Sequence, residues 1–435
     1  MGPAAGTFWG SRAMQTAGIL DVAARAKGFL VRQKRNYRVA ISRQAISSFL
    51  GNLTAQYSSI YVTGLGANPV QLGGISGVAS AFGALLSLPV GWLVDRYSVK
   101  KLYVAGVLLT AVAALMSGLA PTWQFILVAT IVAVPASGFL GAGCSVICRD
   151  SVSNRDRLTA QNTCVTLASL SGLLAPMAAA MLISRTGGLT TEGIRPLYFL
   201  QFLGYLLVFY VVIRWLEEPS HIRRLHGVRA SDFVRDFRQL FDTSSPLKRW
   251  TAVAVLTSLP AAMTAPFVQL YAYEFKGANA AILAAMTMAM IFTRVLFGIP
   301  LGRIADRVGR KRLIYLLTPL WYGSFIMLVL AQSPLALVGA AALQTFYNIA
   351  SGAAGAMGLE LVPAEMVGRW EGVLGVLGGL VTIPAPILGG LVYRNWNPAY
   401  VFLLPIAVDA LLRLPLLATM PETLHRDSNT GEDGG

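Results

Sequence analysis

A chain of 435 residues with 55% hydrophobic and only 13% charged side chains falls far below the roughly 25% charged of a soluble domain, which excludes an ordinary water-soluble globule. The formal net charge of +15 does not signal nucleic-acid binding, because the lysines and arginines sit between long apolar stretches and form no continuous patch. Three cysteines, Cys144, Cys148 and Cys164, have neither the even count of a disulfide framework nor the paired spacing of a zinc site, and read as small buried hydrophobes.

The chain opens with a basic segment, residues 1–36, without a cleavable signal peptide, which places the N-terminus in the cytosol. Within it residues 17–38 suit either a basic helix on an anionic membrane surface or disorder. A membrane crossing takes roughly 20 mostly apolar residues. Reading between polar breaks predicts twelve of them, near 38–64, 71–95, 102–120, 123–148, 158–184, 196–216, 250–274, 278–302, 312–331, 334–361, 371–393 and 398–418. Residues 37–216 form one group of six spans and 250–420 a second. Between them lies a polar, mixed-charge linker, 217–249, and 421–435 is a tail. Of the 35 lysines and arginines, 28 fall on one side of this arrangement. Four (Arg185, Arg195, Lys276, Arg394) fall on the other and three (Arg43, Arg294, Arg413) inside spans. The positive-inside rule then puts both termini and the linker in the cytoplasm.

One pattern occurs twice. Gly91-Trp-Leu-Val-Asp95-Arg96, followed by Lys100 and Lys101, returns as Gly302-Arg-Ile-Ala-Asp306-Arg307, followed by Gly309, Arg310 and Lys311. At a similar spacing Ala175-Pro176 returns as Ala385-Pro386, and the halves close with Glu218-Pro219 and Pro421-Glu422. Two copies of a six-helix unit follow. At these residues the chain resembles the major facilitator superfamily of secondary transporters, whose loop signature between spans two and three is G-x-L-x-D-R-x-G-R-[RK]. The second copy is complete, whereas the first has Ser98 for the glycine and Val99 for the arginine.

The resemblance implies an all-α integral membrane fold of twelve helices in two pseudo-symmetric six-helix bundles around a cavity that opens alternately to each side. Spans one, four, seven and ten would line it, and three, six, nine and twelve would face lipid. It also implies a latch in which Asp95 and Asp306 reach the starts of spans eleven and five and close the inner side. Physically, an Asp can accept hydrogen bonds from the free N–H groups of a helix N-terminus, where the dipole favours negative charge. Gly91 and Gly302 admit the close approach such a latch needs. Arg96 and Arg307 are candidate partners for Asp150 and Glu360 at the ends of spans four and ten.

Polar side chains inside spans mark the candidate binding residues. Gln44, Ser48, Asn52 and Gln56 are spaced by four in span one. Gln344, Tyr347, Asn348 and Ser351 follow i, i+3, i+4, i+7 in span ten, and Gln269 stands in span seven. Such groups are costly in hydrocarbon, so these faces look into a cavity or toward another helix. Arg413 has Asp409 four residues before it. Arg43 lies about 8 Å from the membrane boundary and can snorkel. Arg294 lies about 12 Å inside a core of roughly 30 Å with no acid on its own helix, which makes it the leading anion-binding candidate, with Arg43 second and Glu274 as the alternative structural partner.

The drug-exporting branch of the family carries an Arg in span four that is absent here, and Asp409 is the only acid well inside a span, so neither proton-coupled drug efflux nor proton-coupled sugar uptake is indicated. No nucleotide-binding, zinc-protease or hydrolase motif occurs, which argues against an enzyme, a cofactor or direct ATP drive. The expected protein is a monomeric plasma-membrane (cell inner membrane) transporter of a small solute, an organic or inorganic anion, with a coupling ion or counter-substrate. A multidrug or neutral-metabolite exporter is the first alternative and a non-transporting sensor on the same scaffold the second.

Overall fold

The computed structural model describes residues 35–151, 157–218, 245–361, 367–420 and 422. Most of the expected N-terminal segment, linker and tail lie outside the described residues, as do the side chains of Asp95, Asp150 and Glu360 and the surroundings of Gly91.

Among the described residues the chain forms twelve spans. Span one is Arg35–Thr54, carried through a tight turn at Ala55–Tyr57 into Ser58–Gly64. Spans two to six are Pro69–Arg96, Val99–Leu119, Trp123–Ser151, Arg157–Arg185 and Thr191–Trp215. Span seven is Ser245–Thr264 and Val268–Lys276, and spans eight to ten are Ala280–Val308, Arg310–Leu330 and Pro334–Leu361. Span eleven is Val367–Thr382 and Pro384–Asn395, and span twelve runs from Tyr400 to Ala418 with a wide turn at Asp409–Arg413. These ranges fall within a few residues of the apolar segments read from the sequence. Helix is the only way an isolated segment can satisfy its backbone groups in hydrocarbon, which is why apolar length alone locates the spans. Ten are long and apolar enough to cross a membrane on those grounds; the other two are spans one and ten.

Short polar caps finish helices at one end of the molecule. Asn68 and Gln71 form a reciprocal cap on span two, the Thr190 hydroxyl accepts from Gly193 N, and Asn279 accepts from Ile282 N. We call this end the far face, and the end carrying the repeated motif the motif face.

In the first half span one packs on spans five and six, three on four and six, and two on four; in the second, span ten packs on eight and nine, and seven on eleven. The halves meet where span two packs on eleven and span five on eight, the two pairings that a twofold exchange of halves interconverts. Between spans two and eleven these contacts are backbone to backbone. A Cβ at Gly73 would stand 2.0 Å from the Pro386 carbonyl oxygen, one at Gly77 2.6 Å from that of Ile383, and one at Gly390 2.4 Å from that of Pro69. Glycine is required there because any side chain would hold the helices apart. The Tyr57 hydroxyl adds a hydrogen bond across the same seam, donating to the Ala280 carbonyl at 3.0 Å. The motif face is looser at the second motif copy. Gly302 has no neighbouring atom within 4 Å of a Cβ position, and Asp306, with a side chain 68% exposed, pairs only weakly with Arg310 at 3.9 Å on the next helix.

The paired glutamates that close each half also have a structural reason. Glu218 accepts from Val99 N at 2.9 Å and from the Ser98 hydroxyl. Glu422 accepts from Arg310 N at 3.1 Å and Lys311 N at 3.4 Å. Each carboxylate therefore caps the free N–H groups at the start of span three or nine, where the helix dipole favours an anion. The first copy's departure from the motif also becomes intelligible. Ser98 has φ −56° and caps Lys101 N with its own hydroxyl, whereas Gly309 has φ +111° and lies against the Glu422 carboxylate, 2.6 Å from a Cβ position.

A side chain at Gly309 is therefore opposed by both its backbone angle and its neighbour. Gly309→Ala is expected to destabilise the protein by about 1–2 kcal/mol, while Gly302→Ala in the same motif leaves stability unchanged or slightly raised. Melting temperatures of the purified variants check this; equal effects at both positions would remove the asymmetry claimed for Gly309.

Candidate substrate cavity

Two adjoining cavities lie among spans seven to ten. The upper one, about 240 Å³, is walled by Trp321, Phe325 and Tyr347 and carries Gln269, Gln344 and Asn348. The lower one, about 310 Å³, is lined by Arg294, Asp306, Arg310, Asn348 and the glycines 298, 302 and 352. Asn348 belongs to both, and the span ten stripe therefore opens into space as the sequence pattern suggests.

Packing explains which of these groups are available. The Tyr347 hydroxyl donates to the Thr257 carbonyl, so this side chain presents its ring, tilted against Trp321 with ring centres 4.9 Å apart. Gln344 and Asn348 make no hydrogen bond among the described residues, and Asn348 is exposed. The Gln269 Oε1 is buried without a partner. On span one Gln56 is only 2% exposed and neither atom of its carboxamide has a hydrogen-bond partner. Gln56 lies in the interruption of span one at 55–57 and Gln269 just after that of span seven at 265–267, equivalent places in the two halves. Broken spans with unpaired polar groups are where secondary transporters place ligands.

The rest of the span one stripe is taken up within its own half. The Asn52 side chain donates to the Ser48 carbonyl at 2.8 Å, and both residues press on Gly172 of span five, where a Cβ would stand 2.8 Å from each. Span five reinforces this packing through Ser171, whose hydroxyl donates to the Ala45 carbonyl. Gln44 accepts from Arg43 at 2.5 Å. Arg43 itself is buried, with its guanidinium 5.1 Å from the Tyr103 ring centre, inside the first bundle.

The three intramembrane arginines thus differ. Arg413 and Asp409 are fully paired, with a second contact at 2.9 Å, and Tyr322 donates to the same carboxylate at 2.6 Å. Arg43 has a carboxamide and a ring. Arg294 is exposed to the lower cavity and makes no ion pair among the described residues. Glu274, its alternative partner, accepts instead from Tyr393 at 2.8 Å on the far face. The lower cavity's two guanidiniums and one carboxylate leave it net positive.

Of the motif residues, Arg310 spans both roles, lining this cavity and capping on Glu422. Arg307 is exposed, and Arg96 lies 4.5 Å over the ring of Trp92 on its own helix. Trp321 and Phe325 were not among the expected site residues, because the resemblance puts span nine on lipid. Their signal was present in the run Leu313, Leu317, Trp321, Phe325, Leu328, a buried stripe at helical spacing.

The sequence model of the Major Facilitator Superfamily matches residues 39–259 and 250–434. A Multidrug resistance protein MdtG of Rahnella sp. is 24% identical over 318 residues, covering 70% of this chain and 73% of that protein. An uncharacterised MFS-type transporter of Mycobacterium tuberculosis is 30% identical over 131 residues, and the match spans only 19% of its length. Among solved structures, the nucleoside transporter NupG superimposes with a TM-score of 0.71 at 12% identity, over 88% of this chain and 98% of that one. A POT family transporter in complex with 5-aminolevulinic acid gives 0.70 at 11% identity, over 88% and 96%. At these identities the structures speak to the fold alone.

A buried carboxamide without partners costs stability, about 1–3 kcal/mol, and persists where a ligand uses it. Gln56→Met is expected to hold or raise the melting temperature while weakening transport. A lower melting temperature with transport intact would show that Gln56 serves only the fold.

Proposed function

The chain belongs to the major facilitator superfamily, whose model spans both halves, and from that membership we propose that it is a secondary transporter carrying a small anionic solute by alternating access. The observation that carries the anion is Arg294, a charged side chain at membrane depth that opens on a cavity without an ion partner among the described residues. An intramembrane guanidinium costs roughly 2.5–3.5 kcal/mol on insertion scales, so a free one is retained for a ligand. Its planar fork suits a carboxylate or phosphate bidentately.

In this reading the motif face is cytoplasmic, which the excess of Lys and Arg there supports, and both termini are inside. The arrangement with the far face sealed is then one open toward the cytoplasm. Transport exchanges it for a state in which Asp306 and Asp95, with Gly302 and Gly91 beside them, engage the starts of spans five and eleven. Bundles 37–216 and 250–420 are the moving bodies, and a gradient of solute or ion supplies the energy. The multidrug resistance relative favours a second reading, export of a drug or neutral metabolite.

Two experiments test these assignments. Single cysteines at Asn68 and Ser220, in a background lacking the native three, should label oppositely with an impermeant reagent, Asn68 from outside intact cells; labelling of Ser220 from outside overturns the orientation. In a thermal-shift screen of the purified chain, anions should raise the melting temperature. Arg294→Gln should abolish that shift, and Arg294→Lys should keep charge but lose bidentate geometry and weaken it. Hits confined to neutral or cationic compounds and indifferent to Arg294→Gln would favour the exporter.

A further inference from the structure

Gln344, Asn348 and Gly352 stand at successive four-residue steps on span ten. Gln344 lines the upper cavity alone, Asn348 lines both, and Gly352 lines the lower one alone. The two compartments thus meet at Asn348, with the residue unique to each about one helical turn, roughly 6 Å, to either side of it along the span.

Their chemistries differ. The upper compartment is walled by a continuous aromatic cluster, Trp321 with Tyr347 at 4.9 Å and with Phe325 at 5.6 Å between ring centres. Its available polar groups are the carboxamides of Gln269, Gln344 and Asn348, each able to donate and to accept, and among the described residues no charged side chain lines it. The lower compartment holds Arg294 and Arg310 against Asp306 and is otherwise widened by glycine. No atom lies within 4 Å of a Cβ position at Gly298, Gly302 or Gly352.

A small inorganic anion would occupy the lower compartment and leave three carboxamides and an aromatic wall without a counterpart. A doubly charged phosphate would meet the Asp306 carboxylate with only one net positive charge to offset it. A monoanion with a flat, hydrogen-bonding ring satisfies both compartments, because carboxamides match ring donors and acceptors and aromatic walls favour ring faces and edges. We propose that the solute is a heteroaromatic carboxylate, its ring in the upper compartment among Trp321, Tyr347 and the carboxamides and its carboxylate on Arg294 a turn away. Asn348, shared by both, spans the junction. This rests on the reading of Arg294 as an anion site and narrows it.

The test is calorimetric binding to the purified full chain of three matched probes: indole-3-acetate, its neutral amide indole-3-acetamide, and cyclohexylacetate, which keeps the acid and loses the aromatic ring. Indole-3-acetate should bind at least about tenfold more tightly than either of the others. Arg294→Gln should erase the preference for acid over amide, and Gln344→Leu should erode the preference for indole over cyclohexyl. Gly352→Leu, which fills the lower compartment from a position with open space around it, should weaken both acids and spare the amide. Equal affinity for the two acids, both lost in Arg294→Gln, overturns the ring assignment and leaves the anion site standing. Equal affinity for acid and amide, indifferent to Arg294→Gln, overturns both. Failure of all three probes to bind overturns the heteroaromatic carboxylate alone.

Discussion

Hydrocarbon offers no hydrogen bonds, and an unpaired polar group inside it costs several kcal/mol. Every level of this structure follows from that constraint. Backbone groups within spans pair internally, so the chain is helical wherever it is apolar for long enough. The groups left over at helix ends are met at the far face by Asn68, Thr190 and Asn279, and at the motif face by the Glu218 and Glu422 carboxylates. These two acids fasten the last span of each half to its third, so one interaction both finishes a helix and holds the bundle.

The same constraint explains how the halves come to differ. Each contributes a polar stripe, yet in the first half Gly172 draws Ser48 and Asn52 into helix packing and Gln44 is held by Arg43. In the second half the wall opposite span ten is open, and Gln344 and Asn348 face space. Gln344, Asn348 and the Gln269 Oε1, all on the upper cavity, are left without side-chain partners among the described residues. A site built this way is asymmetric on a symmetric scaffold.

The proposed alternating access would draw on a contrast between the two faces. The far-face seam is glycine against carbonyl, a contact that is either made or broken as a unit, because helices whose backbones touch cannot slide apart gradually without losing the whole interface. At the motif face Asp306 is exposed and Gly302 has open space beside it. A rocking pair of bundles, as proposed above, would need a second seam at the motif face that excludes this one.

Apolar length, the recurrence of Gly302-Arg-Ile-Ala-Asp306-Arg307 and the positions of Lys and Arg made the spans and the six-plus-six division legible in the sequence, because burial in lipid is a property of a segment read by itself. The unusual standing of Arg294 was legible too, since depth and the lack of an acid on its own helix are both linear facts. Partnership was not. That the Asp409 carboxylate paired with Arg413 also accepts from Tyr322, that Glu274 is engaged by Tyr393, and that Asn52 presses on Gly172 depend on which helices lie side by side. The aromatic wall of Trp321 and Phe325 likewise arose from span nine turning its buried stripe toward span ten. Sequence sets how polar each helix face is; only the packed bundle decides whether that face meets another helix or a cavity, because the free energy of a polar group in a membrane is fixed by what stands opposite it.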